Sequence, residues 1–272
     1  MDESWKPEIC IGIPTLNGPE RLERCLRSIM RYTRLGKYKA QVYVSDDCSY
    51  EKKLSENKTV CNAYRVPLLM VKERIGVAQQ WNLLVRHTDA PIQVLMNDDV
   101  EVSEHWLEAL VYTVRENAHA GMVALKAYQG VNSTNFAPPP PISYAESVME
   151  RGSGLLSSCG YLFAFEKAKW EKIGGFDTQF FAFYEEIDFG VRLFSEGWPS
   201  YMLSYPIVIH QGGATTSDPG NIDAQNVMAE SREKFKKKHP SIVEIRARMD
   251  EETEKKTWKN RQWNTALLAT ID

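Results

Sequence analysis

The chain has 272 residues, 43% of them apolar and 25% charged, with a formal net charge of −3. This is enough chain for a buried core in one large globular domain or two small ones, and the charge gives no sign of an overall affinity for nucleic acid or membrane. No bilayer-length apolar run, signal-like N-terminus or Cys-x-x-Cys pair is seen, and the five cysteines (Cys10, Cys25, Cys48, Cys61, Cys159) are scattered. The expectation is therefore a reduced, cytoplasmic protein without a zinc site or disulfide framework.

Glu8 to Ile13 reads as a first strand ending in the breaker-rich loop Pro14-Thr15-Leu16-Asn17-Gly18-Pro19. A helix follows, with Leu22, Cys25, Leu26, Ile29 and Met30 on one face. Gln41 to Ser45 is a second strand running into Asp46-Asp47-Cys48-Ser49. Pro67 to Lys72 is a third, followed by Glu73-Arg74-Ile75-Gly76. Ala78, Trp81, Leu84 and Val85 then mark a helical stripe. Ile92 to Met96 is a short buried strand that opens on Asn97-Asp98-Asp99, with Ser103 as the N-cap of a helix carrying Trp106, Leu110 and Val114. Four strands alternating with helices predict a doubly wound parallel sheet with its polar loops on one rim. That rim is where open α/β sheets hold ligands. Two carboxylates there suit Mg²⁺ or Mn²⁺, although locally an Asx-rich turn explains them equally well. Neither a Gly-x-Gly-x-x-Gly turn nor a Walker lysine motif is present.

The second half changes character. Gly121 to Ala127 reads as a strand, Tyr128 to Gly154 as a long loop with a proline run, and Gly160 to Phe165 as another strand. Glu166 to Lys172 is a short helix closed by Gly174-Gly175, Tyr184 to Glu196 a longer one, and Tyr201 to Ile209 a strand stopping at His210. Asp188 and Arg192 are spaced to pair across one helical turn. Beyond Asp223 the chain is strongly charged and helical in pattern, with a lysine cluster at 234–238. Taken singly, an acidic first turn at Glu185-Glu186 is a helix-dipole feature, and His210 after a strand is a structural histidine.

The ordered series Pro14-Thr15-Leu16-Asn17, Ser45-Asp46-Asp47-Cys48-Ser49 and Asn97-Asp98-Asp99 resembles the nucleotide-sugar-binding half of inverting GT-A glycosyltransferases of family two. Gly174-Gly175-Phe176-Asp177, Phe183 to Arg192 and Val208-Ile209-His210 are similar to that family's later elements, in the same order. The resemblance covers roughly residues 8 to 215. It implies a GT-A (Rossmann-like) α/β fold with a mostly parallel central sheet flanked by helices. A transferase domain would span 1–215, its nucleotide-sugar-binding half being 8–103 and its acceptor half 104–215. A charged, helical extension would occupy 216–272.

The resemblance also implies roles. Pro14, Thr15 and Asn17 would shape the loop around the nucleoside. Asp46 would accept a hydrogen bond from the base, commonly a uracil imide. Arg74 would reach the base or diphosphate, and Asn97 would join the nucleotide-sugar site where many relatives carry the first Asp of an Asp-x-Asp motif. Asp98 would hold the ribose, and Asp99 with His210 would bind Mn²⁺ or Mg²⁺. Glu186, or its neighbour Glu185, would act as general base toward an acceptor hydroxyl. The partners implied are a nucleoside-diphosphate sugar, with UDP the expected nucleotide, and an acceptor drawn from glycans, lipid-linked sugars, proteins or modified nucleic acid. A nucleotidyltransferase is an alternative enzyme, but the loop at Pro14 to Gly18 lacks the Gly-rich, basic character that a triphosphate needs. A non-catalytic nucleotide-sugar-binding module of the same fold is the alternative from another class.

Overall fold

A computed structural model of the chain describes residues 6–129, 149–150, 160–213 and 222–241. In the first half β1 (Ile9–Thr15), α1 (Pro19–Tyr32), β2 (Ala40–Asp46), α2 (Glu51–Ala63), β3 (Leu68–Met70), α3 (Gly76–Arg86) and β4 (Ile92–Met96) follow in turn. The strands lie in the order β3-β2-β1-β4, all parallel. Helices cover both faces, so all seven residues of β1 are buried. The apolar stripes fall as their spacing predicts. Leu22, Cys25, Leu26 and Ile29 of α1 are fully buried, as are Ala78, Trp81, Leu84 and Val85 of α3. Helix α2 escapes the sequence reading because it buries only Asn57 and Cys61, leaving no apolar stripe to find.

The second half contains β5 (Val100–Glu101), α4 (Trp106–Glu116), β6 (Val123–Gln129), β7 (Met149–Glu150), β8 (Leu162–Glu166), α5 (Lys167–Lys172), α6 (Glu185–Ser195), β9 (Tyr201–His210) and α7 (Ala224–Lys238). Here the sheet becomes mixed. Strand β8 runs antiparallel between β4 and β6, and β9 returns parallel to β6. The end of β9 pairs with β5, setting His210 opposite Val100. That pairing brings a residue more than a hundred positions away back to the loop after β4.

Several boundaries differ from expectation. Strand β1 continues through Pro14 and Thr15, and β2 through Asp46, because both keep pairing with each other to Thr15 and Asp46. Ser103 is not the N-cap of α4. The helix starts at Trp106, preceded by His105 in a left-handed conformation (φ 64) and without a side-chain cap. Of the expected loop from Tyr128 to Gly154, Tyr128 and Gln129 belong to β6, and 149–150 form β7 against β9. The rest of that loop, and the extension beyond 241, lie outside the described residues.

Two apolar layers sandwich the sheet. One joins Ile9, Ile11 and Ile13 to α1 and α4. The other gathers Trp81, Phe163, Phe165, Phe176 and Phe189, with Phe176 and Phe189 stacked at 4.2 Å. Helix α7 adds a third, small cluster in which Phe235 meets Phe180, Val191 and Phe194.

Candidate active site

A cavity of about 740 Å³ opens at the carboxyl ends of the parallel strands. Pro14, Thr15, Arg74, Asn97, Asp98, Asp99, Glu185, Glu186 and His210 all line it. The two remaining predicted site residues do not. Asn17, at φ 52, donates its backbone N–H to Ser49 Oγ (2.8 Å) and accepts from the Tyr50 N–H at its Oδ1 (2.8 Å), stitching the loops after β1 and β2.

Asp46 requires a correction. It is 1% exposed, and both carboxylate oxygens are engaged, Oδ1 by the Ser49 N–H of its own loop (2.7 Å) and Oδ2 by Asn57 Nδ2 of α2 (2.7 Å). The cavity is lined instead by Asp47. Successive residues at a strand end point to opposite sides, so only one of two adjacent aspartates can face the cavity. Asp47 accepts the Ile75 N–H at 2.7 Å and the Gly76 N–H at 3.2 Å, with Arg74 Nε 3.7 Å away. Burial pushes its pKa up despite these contacts, which pull it down.

Asp98 is held by Thr15 Oγ1 (2.7 Å) and by Arg21, whose Nε and Nη2 each lie at 3.3 Å. Arg21 was invisible in the sequence because it lies on α1 outside any motif. Gly18 leaves room for the contact, since a Cβ there would meet the Arg21 guanidinium and sit 2.7 Å from Asp98 Oδ2. Asp99 is different. Its buried Oδ1 receives no hydrogen bond and lies 3.3 Å from His210 Nε2. The His210 ring stacks on Tyr161 at 4.8 Å, and the Gln211 N–H donates to the Asp99 carbonyl (3.0 Å). A buried carboxylate oxygen without a donor, facing an imidazole, is a fitting donor pair for a divalent cation that completes its shell with phosphate oxygens and water. Among the described residues no cluster of three or more His, Cys, Asp or Glu is arranged as a metal site. Such an ion would therefore depend on its ligand's oxygens.

The acids of α6 enter the cavity through an unusual turn. Phe183 and Tyr184 both take left-handed backbone conformations (φ 65 and 68) immediately before Glu185. For bulky side chains this is strained by about 1–3 kcal/mol each, a cost offset by what the turn positions. Glu185 is 5% exposed, and the Oε2 atoms of both Glu185 and Glu186 are buried without a hydrogen bond. Burial raises both carboxyls above their ordinary value, and Glu185, which also feels the charge of Glu186, rises furthest. Asp188 turns away from the cavity. It accepts from Arg192 Nε (2.7 Å), as its spacing predicts, and also meets Lys238 Nζ (2.6 Å) and His239 Nε2 (2.8 Å). His239, given no role from sequence, thus joins α7 to the acid-bearing helix. Gln80, Lys126, Tyr161 and Phe181 also line the cavity. None sits in a motif that sequence reading recognises.

Residues 10–183, over half of the chain, match the family model described as Glycosyl transferase family 2. A 73-residue stretch is 34% identical to N-acetylglucosaminyl-diphospho-decaprenol L-rhamnosyltransferase of Mycobacterium tuberculosis, covering 26% of this chain and 23% of that protein's length. Among solved structures, the mannosyltransferase PcManGT from Pyrobaculum calidifontis, in complex with GDP-Man and Mn²⁺, is similar with a TM-score of 0.62 at 17% identity. That match covers 98% of this chain and 74% of the other. Residues 1–349 of S. aureus TarS are similar with a TM-score of 0.58 at 14% identity, covering 76% and 61%. GalNAc-T7 with UDP, GalNAc and Mn²⁺ gives 0.57 at 18%, covering 77% and 44%. At these identities the likeness establishes the fold, which is the GT-A arrangement of a curled α/β sheet. Matched through more than half its length, with its acidic loops gathered on one rim of that sheet, the chain belongs to glycosyl transferase family 2.

Proposed function

We propose that the protein is a metal-dependent, inverting glycosyltransferase that moves a sugar from a nucleoside-diphosphate sugar, a UDP-sugar, to an acceptor hydroxyl. The observation that carries this reading is the meeting, in one cavity, of the Asp99–His210 pair with the buried acids Glu185 and Glu186. Solved relatives hold nucleoside diphosphates or their sugars with Mn²⁺, which supports the donor class.

Each residue's task follows from its surroundings. Asp47 accepts the imide N–H of the base, Asp98 faces the ribose, and Arg74 brings positive charge to the diphosphate. Asp99 and His210 would hold Mn²⁺ or Mg²⁺, whose contribution is to stabilise the negative charge that collects on the departing diphosphate. Glu185, whose carboxyl is pushed up by burial and by the charge of Glu186, lies next to Glu186 as a contact for the donor or acceptor sugar. Glu186 takes the proton of the attacking hydroxyl, and the burial that raises its pKa strengthens it as a base. A single displacement inverts the anomeric centre, so no covalent nucleophile is needed.

We also place the protein in a reducing compartment, the cytoplasm. The described cysteines Cys10, Cys25, Cys48 and Cys61 are free thiols, and no described helix is long and apolar enough to cross a membrane. A thermal-shift panel of UDP, GDP, CDP and ADP, each with Mn²⁺, Mg²⁺ or EDTA, tests the donor site. A shift with UDP that vanishes in EDTA is expected, because a ligand of the native state alone raises its stability by mass action. No shift with any nucleotide under any metal condition would overturn the assignment.

A further inference from the structure

The base-binding end of the cavity contains a buried amide to which no motif draws attention. Gln80 is 3% exposed, yet it lines the cavity beside Asp47, Gly76 and Val77. Two contacts stack here along the seam between β2 and α3. At the top, Asp47 accepts the Ile75 and Gly76 N–H groups at the start of α3. One helical turn further in, Ser45 Oγ donates to Gln80 Oε1 at 2.8 Å. Ser45 lies two residues before Asp47, on the same side of the chain, just as Gln80 lies four residues after Gly76 on the same side of the helix. The two functional groups therefore share one wall.

The Ser45 hydroxyl donates to one end of the amide, Oε1. With Oε1 taken as acceptor, Gln80 presents its Nε2 as the donor, and no described residue accepts from it. Asp47 alongside offers only acceptors. We infer that Asp47 and Gln80 together read a lactam edge on the donor's base, an N–H next to a C=O, and that Gln80 is the residue that rejects bases lacking it. Uracil and guanine present that edge. Cytosine and adenine present an amine next to a ring nitrogen, which would set donor against donor at Gln80 and acceptor against acceptor at Asp47. This rests on the donor-site reading above and adds to it the determinant of base choice.

The test is isothermal titration of the full chain with UDP, GDP, CDP and ADP in Mn²⁺, repeated on Gln80→Leu and Ser45→Ala. Wild type is expected to bind UDP or GDP at least about tenfold more tightly than CDP or ADP, a site built around hydrogen bonds being selective against their absence. Whichever of UDP and GDP is preferred names the base. Gln80→Leu should narrow the gap at least about threefold, by removing a hydrogen bond to the preferred nucleotide and the donor–donor clash with CDP and ADP, while Asp47 keeps the remainder. Ser45→Ala, which frees the amide to turn over, should narrow it by strengthening CDP. A gap that survives intact in a folded Gln80→Leu, verified by its circular dichroism, overturns the role of Gln80 while leaving the donor site standing. A wild type that binds none of the four overturns the donor site and this inference with it.

Discussion

Helix α7 is clasped to the acid-bearing helix through one carboxylate, so Asp188→Ala is a demanding test of how the site is held. Asp188 is fully buried and meets Arg192, Lys238 and His239 at 2.6–2.8 Å. Burial alone would raise its pKa, but the His239 hydrogen bond and the Arg192 and Lys238 charges outweigh it and hold the carboxyl below its ordinary value of 3.8. Breaking a buried pair by removing one partner costs about 3–5 kcal/mol. Here the cations keep other partners, Arg192 at the Ile173 and Gly175 carbonyls and Lys238 at Asp177. Lys238 is also partly solvated, its side chain being 31% exposed. A loss of about 2–3 kcal/mol is therefore expected, lowering Tm by roughly 4–12 °C. Urea unfolding should show a lower midpoint at unchanged slope. Because the lowered pKa gives stability above 3.8 that is lost as pH falls through the folded value, the gap between variant and wild type should close in acid. Donor turnover should fall about tenfold as α6 loosens. A variant within about 0.5 kcal/mol of wild type would refute the clasp.

Gly76→Ala should be as damaging for a different reason. At φ +77 its new Cβ would lie 2.3 Å from the Phe181 carbonyl, which already accepts the Val77 N–H, so a stability loss of about 3–5 kcal/mol and weakened nucleotide binding are expected by urea titration and calorimetry. Glu185→Gln should raise Tm near neutral pH. A carboxyl with a raised folded pKa contributes stability that is full below its ordinary 4.5 and is lost as pH rises through the raised value, so the variant's gain should disappear below pH 4.5 in a Tm-against-pH series. Asp99→Ala should abolish the Mn²⁺-dependent part of nucleotide binding while leaving Mn²⁺-free binding unchanged, as read by titration with and without EDTA.

The sheet was legible because its parallel strands are short apolar runs and α1 and α3 carry clear stripes. The acids were legible as ordered groups after strand ends. What escaped has physical causes. Helix α2 buries almost nothing apolar, and the helix that starts at Trp106 is preceded by a left-handed histidine that no capping rule signals. Asp46 and Asp47 are chemically identical neighbours, and only the last pairing of β1 with β2 decides which faces the cavity. Arg21, Gln80 and His239 act through partners far away in sequence, at Asp98, Ser45 and Asp188. The charged C-terminal stretch reads as a helical extension. Its helix α7 buries Phe235 against α6 and brings Met228 to the cavity wall.

The most direct measurement is donor turnover by Glu186→Gln with Mn²⁺ present, alongside the nucleotide's binding constant. If Glu186 is the general base, hydrolysis and transfer should fall by about 10²–10⁴-fold while the binding constant stays within about twofold. Turnover retained at the wild-type level in a folded, nucleotide-binding Glu186→Gln would contradict the assignment of Glu186 as the general base.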